Sequence, residues 1–459
     1  MTQQDSHYIL PVKGDITLAR GWLFLGLLSL VIAGLLTVLV VSARVPGLQD
    51  LLPFVGLFRA VLVVHVDLTV LVWFSAFAGL FWSLNVRGYC TLCGWGALLL
   101  ALFGALSMSA ALFVGSPEPI MANYIPVLRS PIFMAGLLAF AGGFAILVLR
   151  ALYSLARERD WSGREGALRF ALFTSALSGL AALIVFALAY GDLPESLEPK
   201  AYYELLFWGG GHLMQFVYTQ LMLVAWLWLA SASGAWPGLG ARAAWWVFAI
   251  GVAAILPTPF VLIGNGPETA LYRIFFTYQM QYGGGIAALV IGAVVLAALW
   301  RADAPHESAR AERSTLWTSL LVFGAGGVIG FLISGSNVTI PAHYHGSIVG
   351  VTLAFMGMTY HLLPKLGYRP VSQGLAVWQS RIYCGGQLMH ITGLAWSGGY
   401  GIQRKTAGAA QGLDSLERIV SMGFMGLGGF IAIIGGILFL IVVFKSILGR
   451  RRNELGVAP

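Results

Sequence analysis

The sequence predicts an all-α polytopic membrane protein, on three observations. Hydrophobic residues make up 58% of the 459-residue chain and charged residues only 10%, against about 25% charged in soluble domains. Mean hydropathy is +0.82. The apolar residues gather into about twelve stretches long enough to cross a bilayer as helices, near 20–43, 57–84, 92–115, 130–155, 166–191, 202–231, 241–264, 270–299, 314–335, 340–364, 378–400 and 420–447.

Residues 1–19 are polar and show neither an apolar core nor a small-residue cleavage site, so no cleavable signal peptide is expected. The connections between spans are short, which reads as one transmembrane domain over 1–459. The longest, around 401–418, falls on the side opposite the termini. The 58 glycines suit close helix approach in a membrane.

The net charge of +8 is a topology signal rather than a nucleic-acid patch. With twelve spans, both termini and the even-numbered connections share one side. That side carries Lys13, Arg20, Arg87, Arg150, Arg157, Arg159, Arg164, Arg169, Arg242, Arg301, Arg310, Arg313, Lys365, Arg369, Arg381, Lys445 and Arg450 to Arg452, 19 of the 27 Lys and Arg. The positive-inside rule then puts both termini in the cytoplasm of a bacterial-type cell membrane. Of the three cysteines, Cys90 and Cys93 form a CxxC in a cytoplasmic connection, read as two small residues at a helix end because structural zinc needs two more ligands. Cys384 reads as packing.

The functional residues are histidines. In PAHYHGSIVGVTLAFMGMTYHLLP, His343 and His345 start one apolar helix at spacing i, i+2. They lie about 200° apart around the axis and roughly 3 Å apart along it. They cannot chelate one metal together, but they can hold two planar groups on opposite sides of one helix. Imidazole is a natural axial ligand of haem iron, so a two-haem protein is the first hypothesis.

Depth supports it. His65 in the second span, His212 in the sixth, and His343 and His345 in the tenth all fall in the outer half of the membrane. Isolated packing histidines have no reason to share a depth, and polar groups inside a membrane are costly enough to be functional suspects. His7 and His306 read as solvated, His361 as interfacial near the cytoplasmic end, and His390 as a mid-span hydrogen-bonding residue.

At this point the chain resembles subunit I of the haem–copper oxidase superfamily, which includes cytochrome c oxidases and nitric oxide reductases. FRAVLVVHVDLTVLVWF resembles the second-helix segment with a low-spin haem ligand, which implies His65 in that role. HYH resembles the tenth-helix pair, which implies His343 on a high-spin haem and His345 opposite His65 on the low-spin one. FWGGGHLMQF resembles the sixth-helix segment whose histidine faces the high-spin haem and binds a second metal, here His212. GYGIQRKTAGA resembles the outer loop whose basic pair meets the haem propionates, here Arg404 and Lys405. That pair lies on the side of the histidine layer, where carboxylates need cations.

The resemblance breaks at the second metal. The family's usual adjacent histidines fall on Ile263 and Gly264 in ILPTPFVLIGNGPETALYR, and no histidine lies between His212 and His306. Asn265 and Glu268 would be an unusual, harder donor set, better suited to iron than to copper. The tyrosine that many oxidases place one turn after the sixth-helix histidine is Phe216 here. Tyr218 lies on another face, and Gln215 stands near where reductases often carry a glutamate. Glu204, Asp67 and Glu268 are the acids nearest the histidine layer. In the eighth span Tyr272, Thr277, Tyr278, Gln281 and Tyr282 read as a polar ladder for protons.

The expected function is a respiratory oxidoreductase with two haems, b-type as the resemblance implies, that passes electrons from a low-spin to a high-spin haem for reduction of O2 or NO. The chain has no CxxCH motif and no soluble copper domain, so electrons are expected from quinol or from a partner subunit carrying cytochrome c or a cupredoxin domain. The alternative is a non-catalytic, gas-sensing or electron-relay haem protein derived from the same superfamily. A haem-free transporter would explain twelve spans but not four histidines at one depth.

Overall fold

The computed structural model describes residues 7–48, 55–85 and 89–449. Arg87 and Arg450 to Arg452 of the charge asymmetry lie outside the described residues, as do the extreme ends of the domain read over 1–459. The protein is 76% helical. Among the described residues twelve long helices follow one another: α1 Ile16–Ser42, α2 Phe58–Asn85, α3 Thr91–Phe113, α4 Pro131–Leu155, α5 Gly163–Asp192, α6 Pro199–Ala232, α7 Ala241–Leu262, α8 Ala270–Arg301, α9 Arg310–Gly330, α10 Thr339–Leu362, α11 Gln373–Gly399 and α12 Leu416–Leu448.

Nine of these, among the described residues, are long and apolar enough to cross a membrane: α1 to α8 and α12. That is the composition of an integral membrane protein. The remaining three, α9 to α11, carry more polar side chains; α9 begins RAERS and α11 begins QGLAVWQSR. Helix ends differ from the apolar stretches by up to about five residues, because polar and Pro residues that cap a helix do not read as apolar. Glu198 illustrates this: its side chain accepts from the Ala201 N–H at 3.1 Å and Pro199 fills the first helical position of α6.

Two helices depart from regular α geometry. Asp67–Val72 in α2 and Gln279–Gly284 in α8 are π-helical turns, and such turns gather at functional sites. The second changes the face that α8 presents. Tyr278, Gln281 and Tyr282 are exposed on the outside and Thr277 bonds back to the Arg273 carbonyl, while Tyr272 and Gln279 are buried. The expected five-residue ladder therefore does not form. Gln279 instead donates to the Ala254 carbonyl and to Thr258, both at 2.9 Å.

Sequence neighbours pack most extensively: α11 on α12, α9 on α10, α3 on α4 and α5 on α6. The centre is formed by α2, α6 and α10. Below their histidines an aromatic cluster fills the core, with Phe77 and Phe355 stacked at 4.2 Å and Trp73, Phe74 and Phe81 packed edge-on around Phe355. Between α3 and α4 a two-stranded antiparallel hairpin, β1 Glu118–Ile120 and β2 Val127–Arg129, lies at the same end of the bundle as the 400–415 loop.

The α9–α10 seam is glycine-to-glycine. A Cβ on Gly326 would sit 2.7 Å from the Gly346 carbonyl carbon, so the two backbones touch where α10 carries its histidine pair. Three other expectations change. Cys90 and Cys93 are joined as a disulfide at a Cα–Cα separation of 5.3 Å. His7 stacks on Trp236 at 3.8 Å rather than standing free in solvent. His361 is enclosed, with Nδ1 3.5 Å from Glu312 Oε1.

Gly326→Val would force the α9 and α10 backbones apart. Overpacking of this kind costs about 1–3 kcal/mol, so a clear fall in the thermal unfolding midpoint of the purified protein is expected. An unchanged midpoint would show that the seam is not as tight as described.

Candidate functional site

A neutral imidazole carries one proton on two nitrogens. Whichever nitrogen is held as a donor leaves the other as a lone pair. A backbone carbonyl can only accept, so an imidazole nitrogen bonded to one must carry the hydrogen. Five histidines at the hairpin end of the bundle meet this condition at Nδ1. His65 bonds the Ala33 carbonyl at 3.2 Å, with Thr37 Oγ1 also at 3.2 Å. His212 bonds Trp208 O at 2.7 Å, His343 bonds Gly326 O at 2.8 Å, His345 bonds Pro341 O at 2.8 Å and His390 bonds Met425 O at 3.0 Å.

All five therefore present Nε2 as a lone pair. In His65, His343, His345 and His390 that atom has no hydrogen-bond partner among the described residues, and the four side chains are only partly covered. This is the arrangement that orients imidazole toward a metal, with the second nitrogen pinned by an outer partner.

The five do not form one cluster. His65 and His345 are electrostatic neighbours across α2 and α10, and the His390 ring from α11 lies 5.2 Å from that of His345. His343 faces α9 on the other side of α10, where a Cβ on Gly330 would meet its ring. The i, i+2 spacing thus separates the two as the helix geometry requires. His390, expected to be a hydrogen-bonding residue, does bond Met425 but also joins the His65–His345 side.

Arg44, just beyond α1, is partly buried beside Tyr344, and two of its guanidinium nitrogens, Nε and Nη2, are buried with no partner among the described residues. Burial pulls its pKa down to about 10, against the favourable effect of Tyr344. A partly buried cation with nitrogens left over, next to imidazole lone pairs, is the kind of donor set that a metal macrocycle carrying carboxylates would fit.

His212 differs. Its Nε2 receives the hydroxyl of Tyr124 at 2.7 Å, with ring centroids 4.6 Å apart. The run Gly209-Gly210-Gly211 before it has a reason in packing. Side chains there would collide with Tyr272 and Phe276 from α8, with Phe186 from α5, and with Tyr124 itself. Bare backbone on three sides lets the neighbours reach the helix.

Tyr124 sits in the hairpin loop, and that loop is clamped. Glu204 accepts from the Asn123 N–H at 3.0 Å and from the Asn123 side-chain amide. Asn123 Oδ1 in turn accepts from Arg404 at 2.9 Å and from Lys405 at 3.0 Å, and Lys405 also bonds the Met121 carbonyl. Lys405 adopts a left-handed backbone, φ +61°. Burial, with Arg404 beside it, brings its pKa down to about 8 although Glu204 opposes the shift. Burial raises the Tyr124 phenol well above its ordinary range, so it stays protonated.

The other candidates stand apart. Asp67 is buried with both carboxyl oxygens unpartnered. Glu268 and Ile263 are exposed, and Asn265 bonds only the Ile263 carbonyl at 3.4 Å. Tyr218 packs its ring 4.9 Å from Phe74, away from His212. Among the described residues no three His, Cys, Asp or Glu side chains converge as a metal group.

The chain is similar to bacterial proteins. An uncharacterised protein of Rickettsia prowazekii is 28% identical over 94% of this chain and 96% of its own length. An uncharacterised protein of Aquifex aeolicus is 28% identical over 76% of this chain and 85% of its own. Cytochrome c oxidase subunit 1 of Thermus thermophilus is 33% identical over 30% of this chain and 26% of its own length. No protein-family profile matches the chain. The last similarity is partial, yet it points the same way as the histidine motifs.

Sequence reading missed Tyr124, Asn123 and Arg44. Tyr124 meets a partner 88 positions away, and a loop residue carries no periodicity to announce that. Asn123→Ala removes the acceptor for both cations and a donor to Glu204. At about 0.5–1.5 kcal/mol per hydrogen bond, backbone amides of 118–129 should exchange with solvent at least several-fold faster. Unchanged exchange would mean the clamp does not hold the loop.

Proposed function

We propose that this chain is the haem-bearing core of a membrane respiratory oxidoreductase resembling cytochrome oxidase subunit I, with twelve spans and both termini in the cytoplasm. The observation that carries this reading is the shared Nδ1-to-carbonyl geometry, which leaves imidazole lone pairs on both faces of α10. His65 and His345 would hold a low-spin haem, and His343 a high-spin haem able to bind a gas. The motifs and the partial similarity to the Thermus subunit support the same assignment. When bound, haem supplies a one-electron iron centre and a site for a diatomic gas.

The chain's own residues explain the rest. Gly326 O, Pro341 O and Ala33 O fix ring orientation and tautomer before any ligand arrives. Arg44, Arg404 and Lys405 would neutralise carboxylates at the edge of the macrocycles. Phe77, Phe355 and their neighbours keep the space below the histidines dry, so that charge is confined to the cofactor layer. The electron donor would be quinol or a partner subunit with a cytochrome c or cupredoxin domain, and the gas O2 or NO.

The donor set does not fit a second metal. His212 is a single ligand, its Nε2 is occupied, and Ile263 and Gly264 offer no side-chain donor. A second reading follows from that observation: a haem protein that binds a gas or relays electrons without completing a reduction. Turnover of O2 or NO by the purified protein with an artificial donor separates the two.

Two haems per chain are expected, one low-spin and one that binds CO. His345→Ala should remove the low-spin optical signal and His343→Ala the CO-reactive one. Retention of both signals in both variants would contradict the assignment.

The pH dependence has a definite sign. Pairing with an anion favours protonated Lys405. Above about pH 8 the free site must therefore take up a proton when the carboxylate binds. Haem affinity of the haem-free protein should fall as pH rises through this range, by at most about tenfold per pH unit. Lys405→Arg should flatten the curve, and an unchanged slope in that variant would remove Lys405 from haem anchoring.

A further inference from the structure

We infer that Tyr124 closes His212 to metal, so that the distal side of the site is a tyrosine–histidine hydrogen-bonded pair. Three observations converge on this. The Trp208 carbonyl, 2.7 Å from His212 Nδ1, can only accept, which leaves Nε2 as the ring's one lone pair. The Tyr124 hydroxyl stands 2.7 Å from that atom and donates to it. A metal ion needs the same lone pair, so phenol and metal exclude one another at Nε2.

The phenol is built into place rather than resting there. Its ring packs edge-on against Trp208 at 5.8 Å and lies over Gly211, where a Cβ would fall 2.6 Å from Tyr124 Cβ. The backbone next to it is held by Glu204, Arg404 and Lys405 through Asn123. The cations that the sequence assigns to haem carboxylates thus also brace the loop that presents Tyr124. The hairpin is the determinant of what His212 can bind, and its position depends on groups at the outer edge of the cofactor layer.

This inference rests on the reading of His212 as a distal residue, but its test does not need haem. The full-length protein is purified as wild type, Tyr124→Phe, Gly211→Ala, and Tyr124→Phe combined with His212→Leu. Cuprous ion is titrated into each against a chromophoric chelator, and haem is quantified in the same samples. Loss of one hydrogen bond to the lone pair corresponds to about a tenfold gain in copper affinity in Tyr124→Phe. Gly211→Ala, which displaces the ring without removing the hydroxyl, should change affinity in the same direction. The double variant should lose the gain.

Equal copper affinity in wild type and Tyr124→Phe would overturn the inference. So would a stoichiometric non-haem metal in the wild-type protein that His212→Leu releases while Tyr124 is intact. Absence of haem from all samples would count against the proposed function instead, and the copper comparison would still decide the role of Tyr124.

Discussion

One proton shared between two ring nitrogens governs this structure. Where a helix backbone offers a carbonyl to Nδ1, that nitrogen must carry the hydrogen and Nε2 must carry the lone pair. Ala33, Trp208, Gly326, Pro341 and Met425 each offer such a carbonyl to a histidine. The helix packing follows from the same need. Gly326 and Gly346 let α9 come close enough for its backbone to reach His343 on α10. The glycine run before His212 lets the hairpin come close enough for a phenol. A membrane interior makes unpaired polar groups costly, which is why the imidazole lone pairs carry the proposed function.

The two faces of α10 are served differently. On one side His65, His345 and His390 gather beside Arg44, two of whose nitrogens have no partner among the described residues. On the other side His343 stands alone, and His212 has given its lone pair to Tyr124. Charge at the hairpin end of the bundle is balanced through Asn123, which receives Arg404 and Lys405 and donates to Glu204. One asparagine therefore links the loop that follows α11 to the hairpin between α3 and α4.

The helices, and the placement of His343 and His345 on different sides of α10, were legible in the sequence because both rest on local rules: apolar length for a helix, and 100° per residue around its axis. That Ile263 and Gly264 offer no side-chain donor is read directly from the sequence and holds wherever their loop lies. What escaped was long-range or irregular. Tyr124 reaches His212 only because a hairpin folds over the bundle. The eighth-span ladder failed because Tyr278, Gln281 and Tyr282 fall on the exposed face of α8 while Tyr272 is buried, and the π turn at Gln279–Gly284 interrupts the regular 100° spacing between them. His361 read as interfacial because nothing near it in sequence announces Glu312, which α9 brings to its side.

The most direct test of the central claim is a cryo-electron microscopy map of the purified protein at a resolution that shows side chains. The account predicts one flat macrocycle held between His65 and His345 and a second on His343, with Tyr124 still on His212 and no metal density between His212 and the second macrocycle. A map in which those imidazoles pair with protein side chains and enclose no macrocycle would contradict it.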